Sequence, residues 1–300
     1  MKLGNSSFPS LPALLYNQAM HFPKHWARAT HIHTDLNGKR YSFTCWGWSD
    51  EGHAEAQRLA EERAARLAGK LSRGEPLNRY GYSDRPLREE QLEIYSDEAG
   101  RTQAIITRNS YGALVLNAAR VMFIDIDLPE AKPQGGFLSN LFGGKKSSPE
   151  DEALERIKQW AARRPDNGVR VYRTAAGLRG LVTSYPFHPA DGEAQAILRE
   201  LGSDPLYITL CRAQESFRAR LTPKPWRCGA PNPPSSFPYE TANAQARHTH
   251  WLQKYHAAAA QYATCRLVGH YGDTRLHPEI EPIVALHDKH TLAARELPLA

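Results

Sequence analysis

The chain is poor in everything that would tie it to a membrane, to an oxidising compartment or to a common nucleotide-binding loop. It has four cysteines in 300 residues, Cys45, Cys211, Cys228 and Cys265, with no CxxC pair. That usage fits reduced thiols in a cytoplasm better than a disulfide framework. No apolar run approaches the ~20 residues that a bilayer-spanning helix needs. The apolar patch at Leu11–Leu15 is short and set among Pro9 and Pro12, unlike a secretory leader. Walker A, GxGxxG, GxSxG and HExxH patterns are all missing, and there is no internal repeat. Charge of one sign is also in short supply: 38 Lys and Arg oppose 32 Asp and Glu, a net charge of +6. That balance admits a phosphate-bearing partner without requiring one. The expectation is a cytoplasmic globular protein with no membrane partner.

What is present reads as α+β with a mixed, largely antiparallel sheet and flanking helices. After an irregular lead-in over 1–28, one α+β domain over 29–300 is expected. Alternating runs flank Asn37-Gly38, a strong hairpin signal because both residues tolerate positive φ. A helix follows, with Ser49 or Asp50 as cap and Ala56, Ala60, Ala64 and Leu67 at helical spacing. A connector over 73–90 carries Tyr80–Glu90, with Arg85 and Arg88 as a possible surface beside a site. Short β-like runs fall at 91–96, 103–108 and 113–116. Val121–Leu128 is so apolar that it reads as a central strand covered on both sides. The Gly-, Lys- and Ser-rich stretch 131–148 is expected to be a mobile insertion. Ser148 then caps a helix with Pro149 at its first position. Strands are expected at 169–173 and 180–183, a helix after Asp191, and β runs at 207–211 and 217–221. Proline-rich coil follows over 222–238. Helices at 240–262 and 278–295 make the C-terminal third helical.

Three constellations carry chemistry. Asp125 and Asp127 lie at i and i+2 of the apolar strand and therefore on one face. Two carboxylates there repel each other, and a Mg2+ or Mn2+ ion would relieve the repulsion. Alternatively the pair is solvated, or paired with arginine. Arg173-Thr174-Ala175-Ala176-Gly177-Leu178-Arg179 is a small-residue turn between strands. Thr174 and Gly177 would let amides approach a phosphate there, with Arg173 and Arg179 supplying charge, or the glycine only relieves a turn. Arg212, Arg218, Arg220, Lys224 and Arg227 crowd into 16 residues with Phe217 and Trp226 among them. Arginine suits phosphate and aromatic rings suit bases, although the same arginines would also serve a structural network with Asp125, Asp127 and Glu215. Weaker features are the His31/His33 pair, His287-Asp288 with His290, and three cysteines that are either buried thiols or metal ligands.

Phe123-Ile124-Asp125-Ile126-Asp127, followed by a helix and then by Arg173–Gly180, resembles the motif order of the archaeo-eukaryotic primase/primase-polymerase superfamily over residues 120–225. The resemblance implies an RRM-like core, a divalent metal on Asp125 and Asp127 as catalytic residues, and nucleotidyl transfer onto DNA or RNA. The family's second-motif histidine is replaced by Leu181 or Val182, and Glu215 is the nearest third acid. Three functions are therefore carried forward: a metal-dependent nucleotidyl- or phosphoryl-transfer enzyme, a non-catalytic binder of nucleotide or nucleic acid, and an interaction protein without a ligand pocket.

Overall fold

The computed structural model describes residues 20–34, 38–75, 86–129 and 147–300. The expectations for most of the lead-in, for Asn37, for Tyr80–Arg85 and for the insertion over 131–146 lie outside the described residues. In chain order the elements are β1 (His25–Thr34), β2 (Arg40–Ser49), α1 (His53–Ser72), β3 (Glu90–Ser96), β4 (Thr102–Arg108), β5 (Leu114–Ala118), β6 (Phe123–Asp127), α2 (Pro149–Ala162), β7 (Gly168–Thr174), β8 (Gly177–Val182), α3 (Gly192–Glu200), α4 (Pro205–Ala213), β9 (Phe217–Arg220), α5 (Ala242–Ala259), β10 (Cys265–Gly272) and α6 (Glu281–Thr291). Among the described residues every strand ladder is antiparallel. No described helix is long and apolar enough to cross a membrane.

The expected hairpin is β1–β2, with Gly38 at φ +79°. Helix α1 lies against it through Ala56, Ala60 and Ala64. This close approach depends on Gly47, where a Cβ would stand 2.1 Å from the Ala56 carbonyl oxygen. The helix starts after Gly52 rather than on the expected caps. Ser49 instead accepts from the Glu51 amide, and Asp50 is engaged by His21 and by the Lys24 amide. Arg28 anchors the unit to the rest of the chain through both oxygens of Glu240, at 2.6 and 2.8 Å.

Two four-stranded sheets share the main core, in the orders β3-β4-β5-β9 and β10-β7-β8-β6. Within the second, β8 lies between β6 and β7 and is antiparallel to both. Strands β6 and β7 are therefore parallel, joined through α2. Helix α2 has the expected start: Ser148 and Asp151 form a reciprocal capping box and Pro149 opens the first turn. Its Ile157 and Trp160 are fully buried. Arg173 bonds Glu150 in the first turn of α2, so α2 covers the sheet face that Arg173 shares with Leu178, its register partner. By strand alternation the other face carries Phe123, Asp125, Asp127, Tyr172 and Arg179.

Three expectations are corrected here. Strand β6 is buried but not central, because among the described residues its only ladder is with β8. Its other edge is closed by the α3–α4 junction instead of by a strand. Ser203 Oγ and the Asp204 amide donate to the Asp125 carbonyl at 3.0 and 2.8 Å, and the Asp125 amide donates to Ser203 Oγ at 3.2 Å. Residues 207–211 are helix α4, not a strand, because Asp204 accepts from the Tyr207 amide as N-cap and Pro205 takes the first position. The C-terminal third is not helical throughout: α5 and α6 are separated by β10, which adds an outer strand beside β7.

Candidate functional site

Asp125 and Asp127 stand on the face of β6 turned away from α2, Asp125 part-buried and Asp127 exposed. Neither carboxylate has a hydrogen bond or ion pair with a described residue. Burial pushes the Asp125 carboxyl above its ordinary range. The Arg179 and Arg220 charges pull it back, while Asp127 and Asp204 push it further up. Asp204 is thus an acid close to Asp125 that sequence reading missed, although its own carboxylate is occupied as the α4 cap. Among the described residues no three His, Cys, Asp or Glu side chains converge as a metal-binding group. Glu215 does not supply the third acid, and the cysteines and His31/His33 hold no such site. The three buried cysteines are free thiols.

The register sets Arg179 directly across from Asp125. Arg179 is 4% exposed, and its Nη1 donates to the Arg220 carbonyl at 3.0 Å and to His287 Nε2 at 3.1 Å. His287 is fully buried against Phe123 and Tyr172. Burial lowers it to about 4, so it is neutral, accepting at Nε2 and donating Nδ1–H to Asp288 at 3.0 Å. Asp288 is held in turn by Arg170 at 2.6 Å. The polar line Arg170–Asp288–His287–Arg179 thus fixes a guanidinium beside Asp125. In sequence His287-Asp288 is one histidine pair among thirteen histidines, and nothing local marks it as the support of an arginine on β8.

Arg220, on β9, joins the same centre. Burial and the Arg179 charge lower it to about 10, and Asp125 acts against them. Its Nε and the Nη1 of Arg227 are buried without a hydrogen-bond partner. The Lys224 ammonium is lowered by burial and by Arg220 and Arg227, with Asp127 and Asp125 opposing. Arg179, Arg220 and Lys224 thus act on the two carboxylates, and Arg227 presses on Arg220 and Lys224, with N–H groups left open. Buried cations pressing on one another are costly unless an anion joins them.

Of the remaining candidates, all but Trp226 lie away from this cluster or are spent on other partners. Arg173 is turned to the α2 face and spent on Glu150. Thr174 Oγ1 accepts from the Ala176 amide at 3.3 Å. Gly177 serves strand pairing, since a Cβ there would meet the Ile126 carbonyl at 1.9 Å. Arg212 is exposed on α4 and makes no hydrogen bond or ion pair with the cluster. Arg218 shares a face with Arg220 but runs to Glu89 at 2.8 Å and Asn117 at 2.6 Å, in a buried network completed by Thr107. Phe217 is fully buried in the core and offers no face to a base, whereas Trp226 is 49% exposed.

No family model matches this chain, and neither a curated protein nor a solved structure matches it.

Proposed function

We propose that the Asp125/Asp127 centre binds the phosphates of a nucleotide or nucleic acid together with one Mg2+ or Mn2+ ion, and that it serves nucleotidyl or phosphoryl transfer of the primase type. The observation that carries this reading is the pairing of opposites without contact. A part-buried Asp125 with no ion pair among the described residues faces Arg179 and Arg220, and buried guanidinium N–H groups nearby have no acceptor. A phosphate would fill those donors, and a cation would relieve the carboxylates.

The topology supports an RRM-like core. The β6–α2–β7–β8 unit places β8 between two parallel strands, while the next strand, β9, pairs with β5 in the other sheet and is tied to β6 through Tyr207. The acidic pair then lies on the first strand of the unit, on the face without α2. Two carboxylates fit one hard cation whose other positions are filled by phosphate oxygens and water. When bound there, the ion would polarise a phosphoryl oxygen and neutralise developing charge. The chain's own part is positional. Arg179, fixed by His287 and the Arg220 carbonyl, and Arg220 itself would grip phosphate in the low-dielectric end of the site. Lys224 and Arg227 would meet it from the more open side.

One observation favours the second reading, a binder without catalysis: no third carboxylate converges with Asp125 and Asp127 among the described residues. The deciding experiment is calorimetric binding of ATP and of a short oligonucleotide with and without Mg2+ or Mn2+, for the wild type and for Asp125→Ala/Asp127→Ala. Binding that needs metal and is lost in the double variant supports the enzyme. Binding that ignores metal and survives the substitutions replaces it with the binder. Absence of all binding overturns both.

A further inference from the structure

An exposed aromatic pair adjoins the cation cluster. Trp226 and Tyr111 are each 49% exposed, and their rings meet edge to face at 5.2 Å between centroids. Single exposed aromatics need no explanation, but two in contact, from segments far apart in the chain, form a patch. Trp226 lies between Lys224 and Arg227 on the single-turn 3-10 helix Pro225–Arg227, and the Lys224 ammonium rests 5.4 Å from its ring. Aromatic surface and phosphate-directed charge thus occupy one short segment.

Both rings are carried on firm backbone. The Tyr111 turn is pinned by Asn109, whose side chain accepts from the Tyr111 and Ala113 amides at 3.0 and 3.1 Å. Its Gly112, at φ +82°, packs so closely on the Trp251 ring that a Cβ would stand 2.5 Å from it. The Trp226 turn is closed by the Cys228 and Ala230 amides donating to the Pro225 carbonyl, at 3.1 and 2.9 Å. Rings held on fixed turns meet a ligand with little ordering cost.

We infer that the exposed ring of Trp226, buttressed by the perpendicular Tyr111 ring, is the stacking platform for the base of a nucleotide whose phosphates occupy the Arg179/Arg220/Lys224/Arg227 cluster, which makes the ligand class nucleoside polyphosphates rather than inorganic or sugar phosphates. The inference rests on the function proposed above and adds the base to it. Stacking reads the π-face common to all bases, so the platform tolerates purines and pyrimidines alike.

The test is calorimetric titration with ATP and with inorganic tripolyphosphate, both in the presence of Mg2+. The wild type binds ATP roughly tenfold more tightly than tripolyphosphate. Trp226→Ala removes that difference and leaves the tripolyphosphate affinity unchanged, Trp226→Phe keeps most of it, and Arg227→Gln weakens both ligands. Because Trp226 is half exposed, its truncation leaves the fold intact, which a thermal melt checks. Equal wild-type affinities for the two ligands, or an ATP preference that survives Trp226→Ala, overturn the platform while the phosphate site stands. If neither ligand binds, the phosphate site fails and the platform with it.

Discussion

The Tyr207 hydroxyl donates to the Phe123 carbonyl at 3.0 Å. The same oxygen accepts from the Arg218 amide at 3.2 Å. One phenol therefore joins the last strand of one sheet to the last strand of the other, and brings Arg220 alongside Asp125. Tyr207→Phe leaves a buried amide and a buried carbonyl unpaired, so it should cost about 1–3 kcal/mol. Urea unfolding measures that loss. ATP affinity should fall more than stability alone explains, because β9 loses its tie to β6.

Asp125→Asn should stabilise the protein while ending metal-dependent binding. A carboxyl raised above its ordinary range holds a proton in the folded state that the unfolded chain releases. Its favourable contribution is complete below the unfolded value and disappears as pH rises through the folded one. Above the unfolded value the carboxyl is therefore a cost to the fold, and asparagine removes it. The gain expected is roughly 1 kcal/mol, within the range of single stabilising substitutions. A lower melting temperature than wild type at pH 7 would count against this account.

Arg218 and Arg220, two residues apart on β9, should behave as opposites. Arg218→Ala strips the partner from Glu89, itself only 8% exposed, and should cost ~3–5 kcal/mol. Arg220→Ala removes a cation that has no ion-paired carboxylate among the described residues and is pressed by Arg179. It should leave stability nearly unchanged and abolish tripolyphosphate binding. Denaturation and calorimetry on the two variants separate the roles.

Acid should loosen the support of Arg179. His287, lowered to about 4 by burial, stays neutral in the fold while the unfolded chain takes up a proton near its ordinary value of 6.5. Stability should therefore decline as pH falls from about 6.5 towards 4, by up to ~3 kcal/mol, and level off below. His287→Gln should flatten that part of the profile. A wild-type stability that stays flat across the interval would refute the buried neutral imidazole.

Much of the framework was legible because its signals are local. Gly38 takes the positive φ that its turn needs, and the Ser148-Pro149 helix start is as expected. Asp125 and Asp127 share a face because strand alternation allows nothing else. The misread elements had local signals that pointed two ways. Residues 207–211 are rich in β-branched and apolar side chains, but Asp204-Pro205 is a helix start. Strand β10 breaks its alternation at an irregularity between Leu267 and Gly269, which hid it between two helices. The site was half legible for a different reason. Phe217 and Trp226, or Arg218 and Arg220, look alike in a string of letters. What separates them is the arrival of Glu89, Asn117 and the main core from distant parts of the chain, and no short window contains those partners.

The closed edge of β6 also bears on the order in which the chain comes together. Phe123–Asp127 leaves the ribosome before Ser203, Tyr207 and β9 exist to cover it. Until they do, an apolar strand with two negative charges and an open row of backbone groups is exposed, a form prone to pairing with other chains. Like charges at Asp125 and Asp127 would oppose the pairing of that strand with a second copy of itself. Until Ser203 and Asp204 close that edge, the acidic pair would work against self-association of the nascent chain.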